Sequence, residues 1–221
     1  WQAKKARIKN RIKEMADELI RIAANRKTSK AEKLEVPAGI FDEFCARFQF
    51  AETDDQLDAI SDVISDLASG KPTDRLICGD VGFGKTEVAL RAAFVACMSG
   101  YQVALITPTT LLARQHGKLF EERFKGFPIH IGILSRMTPQ KKAAQTKQEV
   151  ADGTCQMVIG THALLSKKMV FNNLGLIIVD EEQHFGVSQK EQLKKIRGDI
   201  HVLTLSATPI PRTLQMALSG V

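Results

Sequence analysis

A glycine-rich run occupies residues 79–86, after a short apolar stretch and before a helical pattern. Its glycines allow the backbone to bend so that consecutive N–H groups point at phosphate oxygens, and the helix N-terminus adds its dipole. A lysine supplies a cation for the β- and γ-phosphates, and the next hydroxyl is a ligand for Mg²⁺. The run predicts a bound nucleoside triphosphate, held by Gly79, Asp80, Val81, Gly82, Phe83, Gly84, Lys85 and Thr86.

A second run of residues that could carry out chemistry is acidic and directly follows the apolar stretch 176–179. A buried strand would deliver these acids to a sheet edge, where Asp180 could hold Mg²⁺ and Glu181 could polarise the water that attacks the γ-phosphate. Acids after an apolar strand are also typical of a helix N-terminus with favourable charge. The glycine-rich run favours the catalytic interpretation.

Upstream of the glycine-rich run, the pattern Thr53-x-x-Gln56 places an amide where it could read the edge of an adenine base. Phe48 or Phe50 lies near enough in the sequence to stack on that base. The same four residues also form a capping-box pattern, in which Thr53 and Gln56 only start a helix. Both interpretations stay open at this point.

Three further runs follow predicted strands. Residues 206–208 could sense the γ-phosphate through hydrogen bonds to the acidic run, although a plain strand-to-helix turn before Pro209 explains them nearly as well. Residues 108–116 and 160–162 carry hydroxyls and helix-start N–H groups that suit nucleic-acid phosphates. Each of these two is individually also typical of a helix-capping turn.

Strands and helices must alternate to bring these runs together. Strand candidates cover residues 76–78, 103–107, 129–134, 157–159, 176–179 and 202–205, and helix candidates cover 54–68, 85–98, 110–124, 139–151, 189–197 and about 210–218. Helix-start signals occur at 138–139 and 188–191. This alternation predicts an α/β fold with a mostly parallel sheet, helices on both faces and ligands beyond the carboxyl ends of the strands.

The chain divides into three predicted segments. Residues 1–26 carry apolar side chains at steps of three and four with basic residues between them, which predicts a long amphipathic basic helix that covers a protein surface. Residues 27–50 turn polar, with breakers at Pro37 and Gly39, and form a linker that approaches Gln56. Residues 51–221 form the α/β domain. Because the chain starts at Trp1 and stops at Val221, soon after a helix begins, we expect a piece of a longer protein.

The composition is that of an ordinary globular domain. The 221 residues are 44% hydrophobic, and 31 Lys and Arg stand against 25 Asp and Glu. Of these, 11 and 5 lie in residues 1–35, so the remainder is electrically balanced and any nucleic-acid track on it must come from arrangement. The 4 cysteines lack zinc-ligand spacing, and Cys78 is expected to be buried. No secretory leader or membrane span is recognisable, so we expect a cytoplasmic protein without a membrane partner.

In order and spacing these runs resemble the first RecA-like motor domain, a P-loop domain, of superfamily 2 helicases and translocases. Gln56 matches the Q motif, and residues 79–86, 108–116 and 160–162 match motifs I, Ia and Ic. The remaining matches are motif Ib at Ser135 and Arg136, motif II as a DEEQ box from Asp180 to Gln183, and motif III at Ser206, Ala207 and Thr208.

Longer blocks resemble the bacterial transcription-repair coupling factors, a family of double-stranded DNA translocases related to RecG. These blocks are residues 74–89, 108–113, 185–187 and 207–214. Trp1-x-x-x-Lys5, Ala16-x-Glu18-Leu19-Ile20 and Arg26 resemble the helix that, in this family, joins the polymerase-interacting module to the motor. The resemblance covers essentially the whole chain.

The resemblance implies an ATPase that uses ATP and Mg²⁺ to walk on double-stranded DNA, displaces stalled RNA polymerase and recruits excision-repair proteins, with these proteins bound through modules outside this sequence. It implies catalytic roles for Lys85, Asp180, Glu181 and Gln183, metal ligation by Thr86 and Asp180, and base contacts from Gln56 and Phe50. The implied contacts to the DNA backbone are Thr109, Thr110, Arg114, Ser135, Arg136, Gly160, Thr161 and His162, and the implied coupling residues are Ser206, Ala207 and Thr208.

Such a motor closes its ATP site with a second RecA-like domain, which brings an arginine finger worth about 10³ to 10⁵ in rate. We therefore expect the isolated chain to bind nucleotide weakly and to be nearly inactive. Two other functions stay open. One is the motor domain of a RecG-type branched-DNA helicase, and the other is a nucleotide-controlled binding scaffold without turnover.

Overall fold

The computed structural model describes residues 30–36, 39–80, 82–166, 168–186, 189–190, 192–193 and 200–207. The predicted helices at 1–26 and 210–218 lie outside these ranges, and so does most of the one at 189–197. The predicted site residues Val81 and Thr208 also lie outside them, as does the helix-start signal at Ser188 and Glu191.

Six strands form one sheet in which every neighbouring pair is parallel. They are β1 (Asp74–Cys78), β2 (Gln102–Ile106), β3 (Ile131–Leu134), β4 (Met157–Gly160), β5 (Leu174–Asp180) and β6 (His201–Ser206). Their spatial order is β1-β6-β5-β2-β4-β3. Each strand overlaps a predicted one with ends that differ by at most about two residues, and the predicted α/β fold is confirmed.

Helices connect the strands. They are α1 (Ile40–Ala46), α2 (Asp54–Ala68), α3 (Lys85–Met98), α4 (Thr110–Arg123) and α5 (Gln140–Asp152), with single 3₁₀ turns at His162–Leu165 and Glu182–His184. The helices α2 to α5 agree with the predicted ones to within about one residue. None of these described helices is long and apolar enough to span a membrane.

Helices cover both faces of the sheet. Successive strand residues point to opposite faces, so Val103 and Leu105 of β2 join one core with α1 to α4, whereas Ala104 and Ile106 join a second core with α5. Strands that are buried on both faces carry almost continuous apolar sequence, which is why β2, β4, β5 and β6 could be recognised. The predicted two-sided covering is confirmed.

Helix α3 lies in the middle of the first core. Every residue from 87 to 97 is buried. Small side chains at Ala89, Ala92, Ala93 and Ala96 allow α2 and the sheet to approach it closely. Because its surroundings are close-packed, α3 holds the residues at its N-terminal end in a fixed position relative to the sheet.

Helix α1 lies within the stretch that was expected to be a linker, and no sequence pattern predicted it. Phe44 is fully buried and stacks on Phe94, with ring centroids 4.1 Å apart. Leu34 is buried as well, and its N–H donates to the Leu67 carbonyl at 3.0 Å. Residues 30–36 and α1 are therefore packed on the α/β body.

The prediction that Cys78 is buried is wrong, because its side chain is exposed. Strand β1 is an edge strand, and exposed and half-buried residues alternate along it. Leu76 and Cys78 share the exposed side. All 4 cysteines are free thiols, and burial raises the pKa of the Cys155 thiol to about 11.

Candidate active site

Each of the six strands ends beside one of the predicted runs, so all of these runs lie along a single edge of the sheet. Across the sheet from β1 to β3 the order of their described residues is 79–80 with 82–86, 206–207, 180–183, 108–116, 160–162 and 135–136. The three runs assigned to phosphate chemistry occupy the adjacent strands β1, β6 and β5. The three assigned to nucleic acid occupy β2, β4 and β3.

The glycine-rich loop joins β1 to α3 and bends around its own lysine. Lys85 Nζ donates to the carbonyl oxygen of Asp80 at 2.8 Å and to that of Gly79. Gly82 (φ 90°) and Gly84 (φ 72°) adopt the left-handed conformation that other residues rarely accept. A cation at a helix N-terminus, inside a glycine bend, is the arrangement that a phosphate group requires.

Gln56 connects α2 to this loop. Its Nε2 donates to the Phe83 carbonyl at 2.7 Å, and its Oε1 accepts the Thr53 N–H at 3.0 Å. The Gln56 N–H donates to Thr53 Oγ1 at 3.3 Å, which completes the predicted capping box. A Cβ on Gly84 would lie 2.2 Å from Gln56 Nε2, so this contact needs a glycine there. The capping interpretation is confirmed, and adenine recognition stays a prediction.

A cavity of about 850 Å³ extends from Gln56 to the C-terminal half of α4. Its lining includes exposed apolar side chains, Phe50, Phe83 and Leu119. Phe50 is 73% exposed, and its ring meets that of Phe48 edge-on at 5.6 Å. Apolar walls with a few polar groups are typical of a small-molecule pocket, and the volume is ample for a purine.

Hydrogen bonds join the acidic run to the turn after β6. Glu181 Oε1 accepts the Ala207 N–H at 3.0 Å, and Glu181 Oε2 accepts a hydrogen bond from Gln183 Nε2. Ser206 Oγ donates to Gln183 Oε1 at 3.3 Å. The sequence led us to expect hydrogen bonds between this turn and the acids. Their use in sensing phosphate stays a prediction.

The backbone ties the three adjacent strand ends together. The Glu181 N–H donates to the Leu205 carbonyl at 2.9 Å, and the Gly79 N–H donates to the Ser206 carbonyl at 3.2 Å. Glu181 has φ 53°, which makes it the one non-glycine residue with positive φ in the part of the chain that the structure describes. Such a conformation costs roughly 1–2 kcal/mol and is found where function constrains the backbone.

Asp180 has a partner that the sequence analysis did not identify. His116 Nε2 lies 2.8 Å from Asp180 Oδ2, although residues 108–116 are predicted to serve nucleic acid. His116 is 9% exposed and lies on the same face of α4 as the buried residues Ala113 and Phe120. This helical spacing was the available signal that the imidazole faces inward.

A buried charge network fixes α3 to its neighbours, and the sequence analysis missed it too. Glu87 Oε1 accepts from Arg91 Nε at 2.9 Å and from Arg123 Nη2, on α4, at 2.8 Å. Arg91 also donates to Glu52, and this hydrogen bond lowers the pKa of the Glu52 carboxyl group. The guanidinium of Arg123 lies over the Phe44 ring, 4.7 Å from its centroid. The residue next to Thr86 is thereby attached to the end of α4.

Helix capping and turn formation engage two of the hydroxyls predicted to contact DNA. Thr109 Oγ1 accepts the Leu112 N–H at 3.2 Å and caps α4. Ser135 Oγ accepts the Met137 N–H at 3.3 Å within a turn. The alternative capping role of Thr109 is therefore confirmed. Arg114 and Arg136 are exposed, so their charges can reach a ligand outside the domain.

The run 160–162 also has a structural explanation. A Cβ on Gly160 would lie 2.4 Å from the Leu134 carbonyl oxygen, so the close approach of β3 and β4 requires this glycine. Thr161 is buried beside it, whereas His162 is half-buried, like Thr110 at the start of α4. Contacts from these residues to DNA stay predictions.

Comparison with known proteins adds independent information. The curated transcription-repair-coupling factor of Rickettsia prowazekii (strain Madrid E) is 54% identical over 225 residues, covering 100% of this chain and 20% of the relative. That of Bacillus subtilis (strain 168) is 48% identical over 221 residues, covering 100% of this chain and 19% of the relative. The chain thus spans about a fifth of the length of these relatives.

The fold comparison agrees. A solved structure of RecG bound to a three-way DNA junction is similar with a TM-score of 0.78 at 35% identity, over 90% of this chain and 27% of that one. The family model described as DEAD/DEAH box helicase matches residues 53–217, about three quarters of the chain, from the capping box through the glycine-rich loop and the acidic run to beyond β6. This family binds nucleotides. The chain therefore belongs to the DEAD/DEAH box helicase family and forms a RecA-like domain of it.

Proposed function

We propose that this chain is the ATP-binding half of a double-stranded DNA translocase that displaces stalled RNA polymerase and couples transcription to nucleotide excision repair. The observation that carries the proposal is the single sheet edge on which phosphate-related runs and nucleic-acid-related runs lie side by side. The names of the curated relatives support the coupling role. The same role implies work on DNA in the cytoplasm.

In this proposal ATP binds at the glycine-rich loop with its base in the neighbouring cavity. Lys85 would neutralise the β- and γ-phosphates, and Phe50 and Gln56 would contact the base. Thr86 and Asp180 would hold Mg²⁺, which needs only one or two protein oxygens because phosphates and water complete its coordination. The glycine bend around a lysine ammonium supports this assignment.

Glu181 would orient the attacking water and accept its proton, since phosphoryl transfer depends mainly on positioning and charge neutralisation. Bound Mg²⁺ would supply the Lewis acid that polarises the phosphate. The hydrogen bonds from Ala207 and Gln183 hold both carboxylate oxygens of Glu181. They support a role in which Ser206, Ala207 and Thr208 report the state of the site to the rest of the protein.

Duplex DNA would lie across the ends of β2, β4 and β3. Thr109, Thr110 and Arg114 would meet the backbone at one strand end, and the other proposed contacts are Ser135, Arg136, Gly160, Thr161 and His162. Because phosphate contacts do not read bases, binding should be independent of sequence and weakened by salt. RNA polymerase and excision-repair proteins would bind to other parts of the longer protein.

The test uses the full-length protein with two variants and a control. Lys85→Ala removes the cation, so its affinity for Mg·ATP in calorimetry should fall at least about 10-fold. Glu181→Gln should bind Mg·ATP and DNA normally but lose about 10² to 10⁴ in DNA-stimulated ATP hydrolysis, and it should no longer displace polymerase. Glu121→Gln, which changes an exposed acid on α4, should match the wild type.

An unchanged affinity of Lys85→Ala for Mg·ATP would refute the assignment of residues 79–86 as the phosphate-binding loop. Retained polymerase displacement in Glu181→Gln would favour the scaffold function.

The RecG likeness favours a second candidate, a branched-DNA helicase motor. ATP-dependent unwinding of a three-way junction would support that candidate, whereas removal of a third strand from a linear triplex, without unwinding, would support the translocase.

A further inference from the structure

Helix α4 begins at the sheet edge after β2 and packs on β3 and β4. It is 14 residues long, which corresponds to about 21 Å. Its first two turns carry Thr110 and Arg114, which we propose to lie against DNA. Its middle carries His116, which contacts Asp180, and its last residue, Arg123, donates to Glu87. One helix therefore contacts the DNA side, the metal ligand and the nucleotide-binding helix.

The contact between His116 and Asp180 is well defined. The two side chains are 11% and 13% exposed, and 2.8 Å separates Nε2 from Oδ2. A carboxylate oxygen accepts, so the imidazole Nε2–H is the donor. The bond occupies one lone pair of Oδ2 and fixes the orientation of the carboxylate.

Close packing brings the imidazole to this place. Gly117 follows His116, and a Cβ on it would lie 2.4 Å from Ile133 Cδ1 of β3. A side chain at 117 would therefore have to displace the end of the Ile133 side chain. The glycine lets the helix lie close to the strands, and the ring of His116 also meets that of Phe120 edge-on at 6.2 Å.

We infer that His116 is a positioning residue that holds Asp180 for Mg²⁺ and makes α4 the connection between the DNA contacts and the metal site. The inference rests on the proposed function. Groups that hydrogen-bond a metal ligand set its orientation, and their loss typically costs 10- to 100-fold in metal affinity. A rigid helix that shifts when DNA binds its first turn must shift the imidazole in its middle.

The test compares His116→Leu, which removes the donor, with His116→Gln, whose Nε2 can reach the same oxygen. Both are made in the full-length protein with Glu181→Gln, so that hydrolysis does not interfere. Calorimetry gives the dissociation constants for Mg·ATP and for metal-free ATP, each with and without a saturating linear duplex. Glu121→Gln on the same helix is the matched control.

In the Glu181→Gln protein with His116 intact, Mg²⁺ should tighten ATP binding. In His116→Leu the affinity for Mg·ATP should fall about 10-fold, while that for metal-free ATP should stay within about twofold. His116→Gln should recover most of the loss. An equal loss for both forms of ATP would indicate a merely structural role and would overturn the inference, as would unchanged Mg·ATP binding in His116→Leu.

The duplex measurements test the connection. Coupling between two ligands is reciprocal, so the factor by which duplex changes the Mg·ATP dissociation constant measures it directly. This factor should move towards one in His116→Leu. In His116→Gln it should return towards the value of the protein with His116 intact. If the factor in His116→Leu were the same as in the protein with His116 intact, the inferred coupling of DNA and metal sites through α4 would be wrong. Absence of Mg·ATP binding in the Glu181→Gln protein with His116 intact would instead contradict the proposed function.

Discussion

The carboxylate of Glu181 accepts a hydrogen bond of 3.0 Å from the backbone N–H of Ala207, the first residue after β6. The second oxygen of the same carboxylate accepts from Gln183, whose own carbonyl accepts from Ser206. The acid proposed to activate water is thus held directly by the turn after β6, through Ala207, and indirectly by Ser206, through Gln183. A displacement of the turn after β6 changes the direction of this carboxylate.

Gln183→Ala removes the side-chain half of this support. A hydrogen bond to a charged group contributes about 1.5–3 kcal/mol, so kcat for DNA-stimulated ATP hydrolysis should fall about 10- to 100-fold. The Mg·ATP dissociation constant should change less than about threefold, because the described hydrogen bonds of the Gln183 side chain go to Glu181 and Ser206. Gln145→Ala removes a similar contact to Glu149, far from the site, and should leave kcat unchanged. A loss confined to nucleotide affinity would contradict the assigned role.

Gly84→Ala tests the fit between the loop and Gln56. The new Cβ needs both a left-handed backbone and displacement of Gln56 Nε2, so the free energy of unfolding should fall by roughly 1–2 kcal/mol for the backbone and by more for the clash. Gly82→Ala is the control, since its φ is also positive but nothing lies within 4 Å of its Cβ. Urea unfolding gives both values. In a Gln56→Ala background the two substitutions should cost the same, and a persistent difference would disprove the clash.

Phe44→Ala tests whether α1 is part of the domain core. The ring is fully buried among Phe94, Phe124 and Phe127, so truncation should cost about 3–5 kcal/mol in the free energy of unfolding. Phe50→Ala removes an exposed ring and should change stability by less than about 0.5 kcal/mol, while ATP affinity falls. If both substitutions had the same small effect on stability, α1 would not belong to the core.

His201 predicts how stability depends on pH. Burial lowers its pKa from the ordinary 6.5, while its ring nitrogens contact Thr73 Oγ1 at 2.9 Å and the Glu32 carbonyl at 3.1 Å. The unfolded chain therefore takes up a proton at higher pH than the folded chain, and stability falls as pH drops below about 6.5. The contribution of this residue to the slope of the free energy of unfolding against pH is at most about 1.4 kcal/mol per pH unit.

Urea unfolding between about pH 5.5 and 7.5 should show a smaller slope in His201→Gln than in the wild type. Thr73→Ala keeps the imidazole buried, so it should lower stability but keep the wild-type slope. Equal slopes in wild type and His201→Gln would disprove the contribution of this histidine.

The sequence was most informative about features that depend on residues close together in the chain. Strands with continuous apolar residues and helices with regular spacing predicted nearly every described element, and a parallel sheet then required the runs after each strand to meet at one edge. The capping pattern at Thr53 and Gln56 depends on residues three positions apart, so it too could be read directly.

The remaining features depend on contacts between distant parts of the chain. Whether Cys78 is buried or exposed depends on whether β1 is a central or an edge strand, and no local sequence pattern reveals that position. The seven residues of α1 are too few for a clear period, and its core role depends on Phe94, 50 positions later. The pairing of His116 with Asp180 spans 64 positions. Such pairs become visible only when the sheet order is known.

Because all six strands direct their chemistry to one edge, the turns at the opposite edge are available for experiment. The turns at Gly100 and Gly153 have positive φ and connect helices to the starts of β2 and β4, at the ends opposite the predicted runs. Fluorophores attached there, or short inserted sequences, should leave catalysis intact. Such handles would allow the proposed translocation on DNA to be measured one molecule at a time.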